Sequence, residues 1–153
     1  MSSLLDVLQE KLSGKNVRIV LPEGEDERVL TAATKLQATD YVTPLVLGNE
    51  EKVNTLAQDK GLDISNIQII DPSKSDLKPE LVKSFVERRK GKATEEQAQE
   101  LLNNVNYFGT MLVYAGHAEG LVSGAAHSTG DTVRPALQII KTKPGVSRTS
   151  GIF

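Results

Sequence analysis

The stretch Gly120–Thr142, "GLVSGAAHSTGDTVRPALQIIKT", decides how the rest of the chain is read. It starts as a strand, "EGLVSGA" from Glu119, passes through small residues and becomes a helix that runs to about Lys141. Parallel α/β sheets are built from such units. In those sheets ligands gather beyond the carboxyl ends of the strands, where helices begin. Gly124, Ala125 and Ala126 leave the backbone approachable, and Ser128 and Thr129 add hydroxyls. Unpaired amides from about Thr129 to Val133 suit an anion. Arg134 follows in the first turn or so, with a planar fork that matches phosphate. Pro135 behind it predicts an extended or distorted backbone at Arg134. The same Ser-Thr pair also reads as a plain helix cap, and the residues alone leave both readings open.

Upstream the same alternation recurs. Strands are expected at "VRIVLP" (17–22), "TPLVLG" (43–48) and "NIQIID" (66–71). Helices are expected over 4–12, with Leu4, Leu5, Leu8 and Leu12 on one face, then over 23–38, 49–61, 78–90, 94–103 and 105–116. Short apolar strands between helices predict an α/β protein: a largely parallel sheet in three α/β/α layers. With 153 residues the chain makes one domain. A net charge of −2 and a pI near 5.7 argue against a nucleic-acid partner. No apolar run approaches the roughly 20 residues of a membrane span. The start lacks a signal-peptide layout, and there are no cysteines, which points to the cytoplasm. The chain stops at "SGIF", as if entering a strand. That predicts the front part of a longer protein, with an apolar docking area near Ile152 and Phe153.

Two further junctions carry chemistry. "DPSKSD" follows the third strand, and "LPEGEDER" follows the first. In the latter, Glu23, Glu25, Asp26 and Glu27 read as helix-dipole partners rather than metal ligands. Arg28 either pairs with these acids or reaches an anionic ligand. "ERRKGK" (87–92) is the only concentrated positive charge. No Walker A loop, GxGxxG or GxSxG motif is present. His127 reads as a structural hydrogen-bonding residue and His117 as a solvated helix end; their spacing makes no metal site.

The segments "VRIVLPEGEDERVLTAA" (17–33), "NYFGTMLVYAGHAEGLVSGAAHSTGDTVRPALQIIKTKPGV" (106–146) and the final "SGIF" resemble the phosphate acetyltransferase (phosphotransacetylase) family. Phosphate butyryltransferases and part of some malic enzymes share the architecture. The resemblance implies reversible acetyl transfer: acetyl-CoA plus phosphate gives acetyl phosphate plus CoA. Butyryl or other acyl transfer, or a non-catalytic binding role, is the alternative. The resemblance also implies two α/β/α domains like those of isocitrate and isopropylmalate dehydrogenases, with the active site between them. Homodimers, coenzyme A as a substrate and no permanently bound cofactor or metal belong to the same picture. By motif position, Arg28 and Arg134 match arginines that bind substrate or act in catalysis, and Arg89 rather than Arg88 matches a third. Ser128 and Thr129 fall in the substrate-binding loop. The family's catalytic base lies in the other half, so none is assigned here.

Overall fold

A computed structural model describes residues 3–148. The expectation for Ile152 and Phe153 lies outside the described residues. Strands β1 (Val17–Leu21), β2 (Val42–Leu47), β3 (Gln68–Ile70) and β4 (Gly120–Leu121) form one parallel sheet in the order β3-β2-β1-β4. Val17 lies opposite Val42 and Leu21 opposite Val46, while Ile19 and Val20 face Gly120 and Leu121.

Both faces of this sheet are buried because both sides of its strands are apolar. Along β2, Val46 enters a core with Leu21, Leu30 and Val53. Its neighbours Leu45 and Leu47 point the other way, toward Phe85, Phe108, Met111 and Ile139. The first core is covered by α2 (Glu27–Gln37) and α3 (Glu50–Lys60). The second is covered by α4 (Lys78–Arg89), α5 (Glu95–Leu101), α6 (Val105–Tyr114) and α7 (Thr129–Ile139). The result is the expected three-layer α/β/α arrangement. Each fully buried Leu or Phe contributes roughly 1.5–3 kcal/mol. Helix α6 is buried from Asn106 through Leu112, as befits a helix apolar nearly all round. By contrast α1 (Leu4–Leu12), held by a capping box between Ser3 and Asp6, buries none of its residues. No helix among the described residues is long and apolar enough to cross a membrane.

Two expectations need correcting. The fourth strand is short, Gly120–Leu121: Val122 still donates to the Val20 carbonyl, but from Gly124 the amides turn away from the sheet to Glu23. Arg134 is helical rather than extended: α7 runs straight through Pro135, whose ring is buried. The proline removes one helical N–H, and burial of its ring offsets that loss.

Chain order also fixes where a ligand would enter. The path from β1 moves outward through β2 to β3, and then returns to place β4 on the other side of β1. The loops leaving β1 and β4 therefore diverge. This is the switch point at which open α/β sheets form a crevice.

Candidate functional site

The crevice is built by one carboxylate. Glu23 follows Pro22 at the end of β1, and its side chain is only 2% exposed. Its Oε2 accepts the amides of Gly124 and Ala125 at 2.9 and 2.7 Å. Its Oε1 accepts the amides of Ala126 and His127 at 2.8 and 3.0 Å, and also meets His127 Nδ1 at 2.8 Å. Burial pushes this carboxyl's pKa up, but the hydrogen bonds from Ala126, the His127 ring, Ala125 and Gly124 prevail and hold it at about 2.

Two glycines make this approach possible. A Cβ on Gly24 would lie 2.3 Å from Val46 Cγ1 and 2.7 Å from the Leu47 carbonyl, so no side chain fits where the turn passes β2. Gly124 has φ +114°, which places its amide for Glu23 in a conformation that favours glycine. From beneath, Ser123 Oγ donates to Oδ1 of the buried Asn106 at 2.7 Å.

The other acids after β1 take separate partners. Glu25 accepts from the Asn49 amide and from Lys52, and Glu27 pairs with Lys60. Asp26 caps α2 and receives Arg28 Nε at 3.0 Å and Nη2 at 2.7 Å; the Arg28 hydrogen bond holds its carboxyl at about 2. Arg28 Nη2 also donates to the Ala125 carbonyl at 2.6 Å. The β1–α2 junction thus grips the distant loop by its amides and by a carbonyl. Arg28 serves both readings at once: it pairs with an acid, and it lies against the candidate loop with 71% of its side chain exposed.

The loop amides expected to stay approachable are therefore occupied by the protein's own carboxylate. Beyond that loop, open donors remain at the start of α7. Ser128 caps α7, accepting the Asp131 amide at 3.2 Å and donating to Asp131 Oδ2 at 2.7 Å. Among the described residues, the amides of Thr129 and Gly130 have no acceptor. Arg134 lies in the second turn, 60% exposed, with Asp131 no nearer than 3.8 Å. A cleft of about 350 Å³ opens beside the Glu23 clamp, bordered by Glu23, Glu25, Asp26, Gly48, Ala126 and His127. No group of three or more metal-ligating side chains is assembled among the described residues.

The "ERRK" arginines separate. Arg88 Nε donates to the Ile139 carbonyl at 2.6 Å and Nη2 to Ile140 at 3.0 Å, closing the end of α7, while its guanidinium lies 5.1 Å from the Tyr114 ring centre. Arg89 makes only a 3.4 Å contact with the Gln138 carbonyl and borders a second hollow of about 470 Å³ with Lys92 and Tyr107. Gln138 stands one helical turn beyond Arg134 on the same face of α7, so Arg89 and Arg134 flank one helix. Arg28 reaches the loop before α7 through the Ala125 carbonyl.

A family model described as "Phosphate acetyl/butaryl transferase" matches residues 3–153. The chain belongs to this family. It is 84% identical over all 153 residues to a phosphate acetyltransferase of Staphylococcus aureus strain Mu50, covering 47% of that protein. It is 78% identical to one from Staphylococcus epidermidis, covering 46%. Among solved structures, the EutD phosphotransacetylase from Staphylococcus aureus superposes with a TM-score of 0.94 at 84% identity, over 98% of this chain and 46% of that one. A phosphotransacetylase from Streptococcus pyogenes gives 0.93 at 54% identity, over 99% and 46%. The chain thus spans about half the length of the relatives it matches. Within the family motif, the Glu23 clamp is the feature that sequence reasoning passed over. Its signal was a single acid set between Pro22 and Gly24 at the end of a buried strand, opposite four consecutive small-loop donors.

Proposed function

We propose that these residues form one wall of the active site of a phosphate acetyltransferase, which moves an acetyl group reversibly between coenzyme A and inorganic phosphate. The observation that carries this reading is the set of open donors at the switch point, the Thr129 and Gly130 amides and the Arg134 guanidinium. In one direction the CoA thiolate attacks the acetyl phosphate carbonyl, a C–S bond forms, the C–O bond breaks and phosphate leaves. In the other, a phosphate oxygen attacks the thioester and the thiolate departs. Either way negative charge develops beside the phosphate, and fixed donors aimed there lower the barrier. Arg134 and the α7 amides hold the phosphate, with Ser128 and Thr129 shaping that turn. Arg28 and Arg89 serve the phosphates of coenzyme A, and at Arg28 the incoming phosphate competes with Asp26. The catalytic base and the facing wall come from a second domain, in the remaining length of the relatives. Coenzyme A is a substrate, and the reading needs no resident cofactor or metal and no nucleic-acid or membrane partner. The homodimer and the cytoplasmic setting implied by the family belong to the same proposal.

The test is a coupled assay of acetyl-CoA with phosphate on a full-length protein, meaning a polypeptide of the relatives' length that begins with these 153 residues. Turnover is expected there, and negligible turnover from the 153 residues alone. Equal activity in both would refute the one-wall reading. A preference for butyryl-CoA would reassign the acyl group; one methylene is worth only about 1–3 kcal/mol of discrimination.

A further inference from the structure

We propose that His127, held in one tautomer by Glu23, reads the proton on bound phosphate and so excludes fully deprotonated anions such as sulfate. This rests on the reading above, that an oxyanion occupies the start of α7. It adds the group that selects which oxyanion.

The tautomer follows from the geometry. Glu23 Oε1 lies 2.8 Å from His127 Nδ1 and already accepts two backbone amides. An ionised carboxylate only accepts, so the ring proton sits on Nδ1. Because the His127 amide is bonded to the same oxygen, the ring is fixed at its root as well as at its edge. Nε2 is left with no partner among the described residues. It is not sealed from solvent, and the residue borders the cleft.

In the neutral ring Nε2 is then an acceptor, on a residue two positions before the first open amide of α7. The Thr129 and Gly130 amides and Arg134 recognise bare oxygens and serve phosphate and sulfate alike. Near neutral pH phosphate keeps a P–O–H, which sulfate lacks, and that hydrogen needs an acceptor. The carboxylates of Glu25 and Asp26 on the same cleft are engaged by Lys52 and Arg28. Among these side chains, Nε2 is the acceptor left without a bonded partner. A site built to receive a substrate hydroxyl rejects the analogue that lacks one, because its own polar group is left unpaired.

The experiment uses inorganic phosphate and inorganic sulfate as probes of the full-length protein at pH 8, by calorimetric titration and by competition in the acetyl-CoA assay. The parent is expected to prefer phosphate by at least about tenfold. His127→Asn keeps an N–H where Nδ1 donates to Glu23 and deletes Nε2. It should lower phosphate affinity to the level of sulfate while leaving sulfate affinity unchanged or improved. In parallel, long-range nitrogen–proton NMR of the histidine ring should find the proton on Nδ1 in the parent and a mixture of tautomers in Glu23→Gln. That readout needs no activity and decides the tautomer even if His127→Asn fails to fold. An unchanged phosphate-to-sulfate ratio in His127→Asn, or a parent ring protonated at Nε2, overturns the proposal. A parent that binds both anions equally overturns it and leaves the transferase reading standing. A parent that binds neither overturns both.

Discussion

Gly124–His127 and Ser128–Arg134 are adjacent stretches with the same raw material, peptide N–H groups at the carboxyl end of a parallel sheet. The first has every amide on Glu23; the second leaves Thr129 and Gly130 open beside Arg134. A concavity of amides attracts negative charge wherever that charge comes from. Here the protein supplies its own anion to the first stretch and leaves the second for a ligand. The internal carboxylate makes the loop a rigid footing, so the donors that follow are placed before anything binds. Preorganisation of this kind strengthens a fixed dipole in catalysis, since no reordering is needed during reaction.

The strongest way to break the contrast is to remove the internal anion. Glu23→Ala strands four inward-facing amides and should lower stability of the full-length protein by about 3–5 kcal/mol, measured by urea unfolding. A loss below about 1 kcal/mol would mean that the loop re-forms without the clamp. Acid gives the same answer by another route. The Glu23 carboxyl titrates at about 2 when folded against an ordinary value of 4.5. Its contribution, on the order of 3 kcal/mol, is fully present above about pH 4.5 and is lost as the pH falls toward 2. The stability difference between the parent and Glu23→Gln should therefore shrink over that window. A constant difference down to pH 2.5 would contradict the clamp.

Arg134 tests the receptive side. A charge-assisted contact is typically worth about 1.5–3 kcal/mol, so Arg134→Ala should lower catalytic efficiency with phosphate roughly ten- to a hundredfold. Arg134→Lys keeps the charge and loses the fork, and should be almost as damaging. Neither change should move the melting temperature much, because the side chain is largely exposed and only loosely faces Asp131. Full activity in Arg134→Lys would exclude two-pronged binding.

The layered fold was legible because its signals are local: buried strands read as apolar runs, and Asn49, Thr94 and Ser128 stand where helices start. What escaped was set by partners far along the chain. "EGLVSGA" has a strand's composition, yet from Gly124 its amides leave the ladder for a carboxylate 101 residues earlier. Arg134–Pro135 reads as a break, yet the core under α7 accepts the proline ring and the helix continues. Within the acidic run, Glu23 differs from Glu25 and Asp26 by facing inward, and only the turn at Gly24 against β2 reveals that. Arg88 and Arg89 are equivalent in composition and divide only when the end of α7 claims the first.

The smallest effect is expected at Ser128, where the two stretches meet. Its hydroxyl accepts the Asp131 amide and donates its one proton to the Asp131 carboxylate, so its donor already serves the helix. Removing an N-cap of this kind typically costs about 1 kcal/mol, and Ser128→Ala should lower stability by that amount. Phosphate kinetics should change by less than about threefold, because the Thr129 and Gly130 amides do not depend on the hydroxyl and Glu23 still fixes the preceding loop. Melting temperature and phosphate kinetics on the same variant separate cap from ligand. A tenfold kinetic loss with an unchanged melting temperature would move Ser128 from the footing to the receptive side, and the boundary would then fall at His127.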